Sequence, residues 1–96
     1  MKLVMICYNE ALDDEVIELL DKADVPGYTK WTKVLGKGKT SGPHLYSHVW
    51  PKANNVLFTA LPAETAVRVL EDIRKMKREV SAEGLKAFMW QIDDVT

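Results

Sequence analysis

The chain has 96 residues, a formal net charge of −1 and a single cysteine, Cys7. A chain of this length is expected to form one domain, residues 1–96, with a small core, and one cysteine excludes an internal disulfide framework. No apolar run approaches the ~18 residues of a membrane-spanning helix, and the N-terminus lacks a secretory signal pattern, so we expect a cytoplasmic protein.

The first part of the chain is predicted to contain two strands separated by a helix. Residues 2 to 8 form a continuous apolar run, which is typical of a strand buried on both faces. Residues 11 to 23 change to a helical period, and acidic residues fill the first turn, where the helix dipole favours negative charge. Residues 28 to 35 mix β-branched and aromatic side chains with lysines, which indicates an edge strand.

The second part begins with a long predicted loop, residues 36 to 55, which is rich in glycine, proline and asparagine. Residues 56 to 61 form another apolar strand, after which Pro62 opens a helix that Gly84 ends. Residues 85 to 92 form the last predicted strand. The order βαββαβ is that of the ferredoxin-like α+β fold, a four-stranded antiparallel sheet with the first and third strands at its centre.

The two central strands are predicted to be apolar on both faces. In the first strand, positions 3, 5 and 7 are as apolar as positions 4, 6 and 8. Both helices of this fold cover one face, so the other face would be an apolar patch, which is rare on a soluble monomer. Burying ~500 Å² of it per chain contributes roughly 12 kcal/mol before the entropy of association is subtracted. We therefore expect the sheets of several copies to pack together.

Acidic and basic residues are distributed unevenly along the chain. All fourteen Asp and Glu residues lie within residues 10 to 24 and 64 to 94, whereas residues 25 to 63 contain five lysines and no acid. Near the centre of this positive segment glycine alternates with lysine, in Gly36, Lys37, Gly38 and Lys39. Glycines allow backbone N–H groups to approach an oxyanion, and lysines supply charge, so the segment favours an anionic ligand. The alternative is a solvated loop that binds nothing.

The sequence around this segment resembles the P-II nitrogen regulatory proteins. The matching residues are Pro26-Gly27-Tyr28-Thr29, Val34 with Gly36 and Gly38, Gly42, and Leu45-Tyr46. The resemblance implies a homotrimer with its sheets facing inward, nucleotide clefts between subunits, and a long loop between strands two and three, the T-loop, that reports the ligand to a partner protein. It implies nitrogen regulation and signal transduction, not enzyme activity.

The resemblance also implies roles for individual residues. A small anionic effector, such as an adenine nucleotide, would bind at Tyr28, Thr29, Gly36, Lys37, Gly38 and Lys39. A partner such as a membrane transporter or an enzyme would bind the T-loop-like segment through His44, Tyr46, His48 and Trp50.

The chain departs from the family pattern at three places. The spacing between Thr29 and Val34 is one residue longer, and the link after the third strand, LPAET, has no glycine-rich phosphate loop. The chain ends in DDVT, where the nucleotide-binding members carry basic residues after the fourth strand.

Other interpretations remain open. His44 and His48 could bind a divalent metal shared between subunits, as in CutA-type proteins, which have a similar trimeric fold; in an extended strand the two lie ~13 Å apart, too far to chelate one ion within a chain. A structural trimer without a ligand is a third interpretation. Nucleic-acid binding is not expected, because the central strands are predicted to present aliphatic side chains where RNA-recognition domains present aromatic ones.

Overall fold

The computed structural model describes residues 1–36, 53–80 and 84–96. Within these residues, four strands and two α-helices follow the predicted order: β1 Lys2–Asn9, α1 Asp13–Lys22, β2 Thr29–Val34, β3 Asn54–Leu61, α2 Ala63–Val80 and β4 Lys86–Gln91. A short 3₁₀ helix, Glu10–Leu12, precedes α1. Neither α-helix of this described part is long and apolar enough to cross a membrane.

The four strands form one sheet in the order β2-β3-β1-β4, and every neighbouring pair is antiparallel. The apolar strands β1 and β3 are central and the mixed strands β2 and β4 are at the edges, which confirms the predicted ferredoxin-like fold. Met5 lies opposite Phe58 of β3 on one side and Phe88 of β4 on the other. Residues 35–53 lie between β2 and β3 in the chain, so the predicted loop of residues 36 to 55 overlaps β3, which begins at Asn54.

The core lies between one face of the sheet and the two helices. Val4, Ile6 and Tyr8, which alternate along β1, are fully buried. The helices bury residues three and four positions apart, as an amphipathic helix requires, and these are Val16, Leu19, Leu20, Ala66, Val69, Leu70 and Ile73. Val80 continues the same helical spacing but is exposed, because the buried cluster of α2 ends at Ile73 and Met76 only packs against its edge.

The opposite face of the sheet, called here the open face, is also apolar. The strand register places two polar residues on this face, Thr29 and Lys86, and its apolar residues are Leu3, Met5, Cys7, Trp31, Val56, Phe58, Ala60, Phe88 and Trp90. Trp31, Phe88 and Trp90 are 52, 47 and 43% exposed. The rings of Trp31 and Phe58 have their centroids 5.1 Å apart. The prediction that the central strands present only aliphatic side chains here is wrong, because the register places Phe58 on this face.

A β-bulge interrupts β2. Trp31 pairs with Val56 and Val34 pairs with Asn54, so three residue steps in β2 oppose two in β3. Lys33, within the bulge, has a left-handed backbone with a φ of 57°. The bulge therefore gives β2 one residue more than β3 over this stretch, and it keeps Trp31 and Val34 on the same side of the sheet.

Candidate functional site

An open groove of about 540 Å³ crosses one end of the open face. Its floor is formed by residues of the central strands, Leu3, Phe58 and Ala60. The start of β2 forms one wall with Tyr28 and Thr29, and the residues after β4 form the other wall with Asp94 and Val95. An apolar floor with polar groups at its rim is the usual composition of a small-molecule site.

One hydrogen bond fixes the wall at the start of β2. Thr59 interrupts the apolar pattern of β3 and is buried, and its hydroxyl donates to the carbonyl oxygen of Gly27 at 2.6 Å. A buried hydroxyl needs such a partner. Because Gly27 directly precedes Tyr28 and Thr29, this bond positions both of them beside the sheet. The single threonine in the run VLFTAL was the only sequence signal for this contact.

Tyr28 and Thr29, both expected to bind ligand, lie side by side on the groove and are exposed. Gly36, expected to share that site, lies beyond the other end of β2. Thr29 pairs with Phe58 and Val34 pairs with Asn54, and four strand residues span ~13 Å. The structure therefore separates the two described parts of the predicted site by the length of β2.

Gly36 packs near the side chain of Asn54. A Cβ built at this position would lie 3.0 Å from the Nδ2 atom of Asn54, a tight contact that a shift of a few tenths of an ångström in that side chain would relieve.

The remaining predicted site residues lie outside the described residues. These are Lys37, Gly38 and Lys39 of the ligand site and His44, Tyr46, His48 and Trp50 of the partner-binding loop. The alternative metal site, His44 with His48, lies outside them too. Among residues 1–36, 53–80 and 84–96, no group of three His, Cys, Asp or Glu side chains could hold a metal ion.

A polar cluster that the sequence pattern does not reveal lies on the helix side of the sheet. The Asp13 carboxylate, at the start of α1, accepts hydrogen bonds from the Tyr8 hydroxyl at 2.6 Å and from Asn55 Nδ2 at 3.1 Å. The ammonium of Lys30 in β2 lies 3.0 Å from Asp13 Oδ2. These four side chains come from α1 and three strands, so the cluster joins the edge strand β2 to the centre of the fold.

The cluster shifts the pKa of two of its members. The hydrogen bond from Tyr8, supported by Lys30 and Asn55, holds the pKa of the Asp13 carboxyl below its usual value. Burial, followed by the hydrogen bond to Asp13, raises the pKa of the Tyr8 hydroxyl. Both shifts favour an ionised Asp13 beside a neutral Tyr8, which is the arrangement that the hydrogen bonds need.

The same ion pair corrects one part of the charge argument. Lys30 belongs to the lysine-rich segment that the sequence predicts to attract an anion, but Asp13 already neutralises its charge. Lys33 is exposed. The positive character of the segment therefore depends on the lysines other than Lys30.

Comparison with known proteins agrees with the fold. The family described as nitrogen regulatory protein P-II matches residues 1–96. CPII, a nitrogen regulatory PII-like protein from Thiomonas intermedia K12 bound to ADP, AMP and bicarbonate, is 27% identical, with a TM-score of 0.72 over 95% of this chain and 88% of that chain. CPII bound to ADP, AMP and acetate gives 25% identity and a TM-score of 0.72 over 92% and 81%.

A more distant structure supports the fold alone. It is a PII-like signalling protein from Thermus thermophilus, which is 21% identical, with a TM-score of 0.68 over 93% of this chain and 82% of that chain. A search of curated proteins gave no match.

Proposed function

The chain belongs to the nitrogen regulatory protein P-II family, and from this membership we propose that it binds an adenine nucleotide or a small anion in clefts between subunits and passes that signal to a partner protein. P-II proteins are regulatory and are not enzymes, which confirms the predicted absence of catalysis. The structural relative CPII binds ADP and AMP together with bicarbonate or acetate, and we extend ligands of this class to the present chain.

The observation that carries the proposal is the groove beside Tyr28 and Thr29. The floor of the groove is apolar and half-buried, which suits the flat face of a nucleobase. The Thr29 hydroxyl can donate and accept a hydrogen bond, and the exposed ring of Tyr28 can pack against a ligand. The hydrogen bond from Thr59 to Gly27 holds this wall in place before any ligand arrives.

Assembly would complete the site. We propose that the open faces of three chains pack together, which would turn the groove at the edge of this face into a cleft between subunits. The exposed Trp31, Phe88 and Trp90 support this arrangement, because burying large aromatic side chains is strongly favourable.

Residues 40–52 would transmit the binding of the ligand to the partner protein. A ligand that reaches from the groove toward Gly36, Lys37, Gly38 and Lys39 would place its anionic groups beside those lysines. Binding would then favour some conformers of the segment that contains His44, Tyr46, His48 and Trp50 over others, and a partner such as a transporter would read the difference.

A pair of threonine variants in the same strand tests the ligand site. Thr29→Val removes the hydroxyl beside the groove, whereas Thr32→Val makes the same change at an exposed position of β2 outside it. Isothermal titration calorimetry with ADP should show binding weakened about fivefold to tenfold by Thr29→Val, the cost of one lost hydrogen bond. Thr32→Val should bind like the unaltered chain. Equal affinities in all three proteins, or no binding of ADP, AMP or bicarbonate at all, would contradict the proposal.

A further inference from the structure

The groove beside Tyr28 and Thr29 has an unexpected charge for a nucleotide site. Among its described lining residues the one charged side chain is Asp94, and it is negative. The residues that follow β4 add a second carboxylate, Asp93, in the sequence DDVT. A phosphate placed in this part of the groove would therefore meet a carboxylate instead of a cation.

One backbone hydrogen bond holds the residue after β4 beside the sheet. The N–H of Ile92 donates to the carbonyl oxygen of Met1 at 3.4 Å, which keeps the chain beside the start of β1 after β4 has ended. One carboxylate oxygen of Asp94 accepts a hydrogen bond from the N–H of Val95 at 2.8 Å. Within the described residues Asp94 belongs to no ion pair. Its charge is thus not cancelled by a described neighbour.

A carboxylate at this position selects between the two ends of a nucleotide. It repels phosphate, and it accepts hydrogen bonds from donors such as ribose hydroxyls or an exocyclic amine. The floor formed by Leu3, Phe58 and Ala60 is apolar. It suits a nucleobase, whereas a small anion would lose its hydration there without a compensating partner. The charge of Asp94 and the apolar floor therefore both favour the nucleoside end of a nucleotide over its phosphates.

We propose that Asp94 is a specificity-determining residue that accepts a hydrogen bond from the nucleoside end of the ligand and directs the phosphates away from itself, toward the Val34 end of β2. This inference rests on the proposed function and adds the orientation of the ligand and its class. The groove binds a nucleoside moiety, and a small carboxylate anion would have to bind elsewhere in the cleft between subunits.

Calorimetry with adenosine, AMP and ADP on the full chain tests the orientation. Asp94→Asn removes the negative charge from the groove, and Asp93→Asn removes an adjacent exposed charge that does not line it. Asp94→Asn should weaken all three ligands by a similar factor, about threefold to fivefold, because a hydrogen bond to a charged acceptor is replaced by one to a neutral amide. Asp93→Asn should leave the three affinities unchanged, and acetate should not displace adenosine from the unaltered chain.

The outcomes separate this inference from the function it rests on. Tighter binding of ADP by Asp94→Asn than by the unaltered chain would mean that the phosphates lie beside Asp94, and it would overturn the inference while leaving the nucleotide site intact. Unchanged affinities in Asp94→Asn, or displacement of adenosine by acetate, would overturn it in the same way. Failure of all three ligands to bind the unaltered chain would instead remove the proposed function and this inference together.

Discussion

Asp13 is the residue at which the edge strand meets the core. Its carboxylate contacts Tyr8, Lys30 and Asn55, and its side chain and that of Lys30 are only 28 and 26% exposed. Ion pairs shielded to this degree are costly to break on one side, since the remaining charge stays partly buried without its partner. The cluster should therefore stabilise the position of β2 as well as the fold.

Asp13→Asn should lower the free energy of unfolding by about 2 kcal/mol, because Lys30 would keep a charge that no carboxylate balances. Asp14→Asn is the matched control: Asp14 is the exposed neighbour in the same first turn of α1, so it loses the same favourable interaction with the helix dipole. Urea denaturation at neutral pH gives both values. A loss no larger in Asp13→Asn than in Asp14→Asn would show that the cluster contributes little.

The pH dependence of stability offers an independent check of the same cluster. The pKa of Asp13 is lower in the folded chain than its usual value of 3.8. The stability that its ionised form contributes is therefore complete above that value and is lost as pH falls through the lower, folded pKa. Asp13→Asn should flatten the acid limb of the stability profile, and Asp14→Asn should not.

Sequence reasoning could place Asp13 but could not find its partners. Acidic residues in the first turn of a helix are fully explained by the helix dipole, so Asp13, Asp14 and Glu15 look equivalent. Lys30 is 17 positions away, and only the sheet order and the alternation of β2 bring it to the helix side. The groove residue Asp94 was visible only as a departure from a pattern, since its position depends on where the chain runs after β4.

The bulge in β2 is the feature at the level of secondary structure with the largest consequence. One additional residue in a strand would turn all following side chains to the opposite face. The bulge prevents this, so that Val34 and the chain leading to Gly36 keep their side of the sheet. Lys33 adopts a left-handed backbone there, which is unfavourable for a residue with a Cβ.

Lys33→Gly should raise the free energy of unfolding by up to about 1 kcal/mol, because glycine accepts the left-handed backbone without strain. Thr32→Gly, at the adjacent residue of the same bulge, should instead destabilise the chain by about 0.5–1 kcal/mol, since it adds flexibility and relieves no positive φ. Thermal or urea denaturation compares the two. Equal destabilisation by both variants would argue against strain at Lys33.

The types and order of the elements were predictable, and their ends were less so. Long apolar runs and helical periodicity identify β1, α1, β3 and α2 because burial imposes those patterns. The first helix was expected to reach residue 23, but α1 ends at Lys22 and Asp24 adopts a left-handed backbone. β3 begins at Asn54, earlier than its apolar run, because Asn54 and Asn55 pair with β1.

On the scale of the whole molecule, the two faces of the sheet have different roles. The helices bury Val4, Ile6 and Tyr8 on one face, while Met5 and its neighbours Phe58 and Phe88 remain on the other. The apolar character of both faces was evident in the sequence, because alternate positions of β1 carry equally apolar residues. The prediction that other copies of the chain cover the open face rests on this apolar character.

The proposed ligand site depends on the open face being an interface between copies of this chain. Size-exclusion chromatography with multi-angle light scattering on the unmodified chain at micromolar concentration tests this interface most directly. We predict a particle of three times the 10.9 kDa chain mass, and a particle with the mass of one chain would contradict both the trimer and the cleft between subunits.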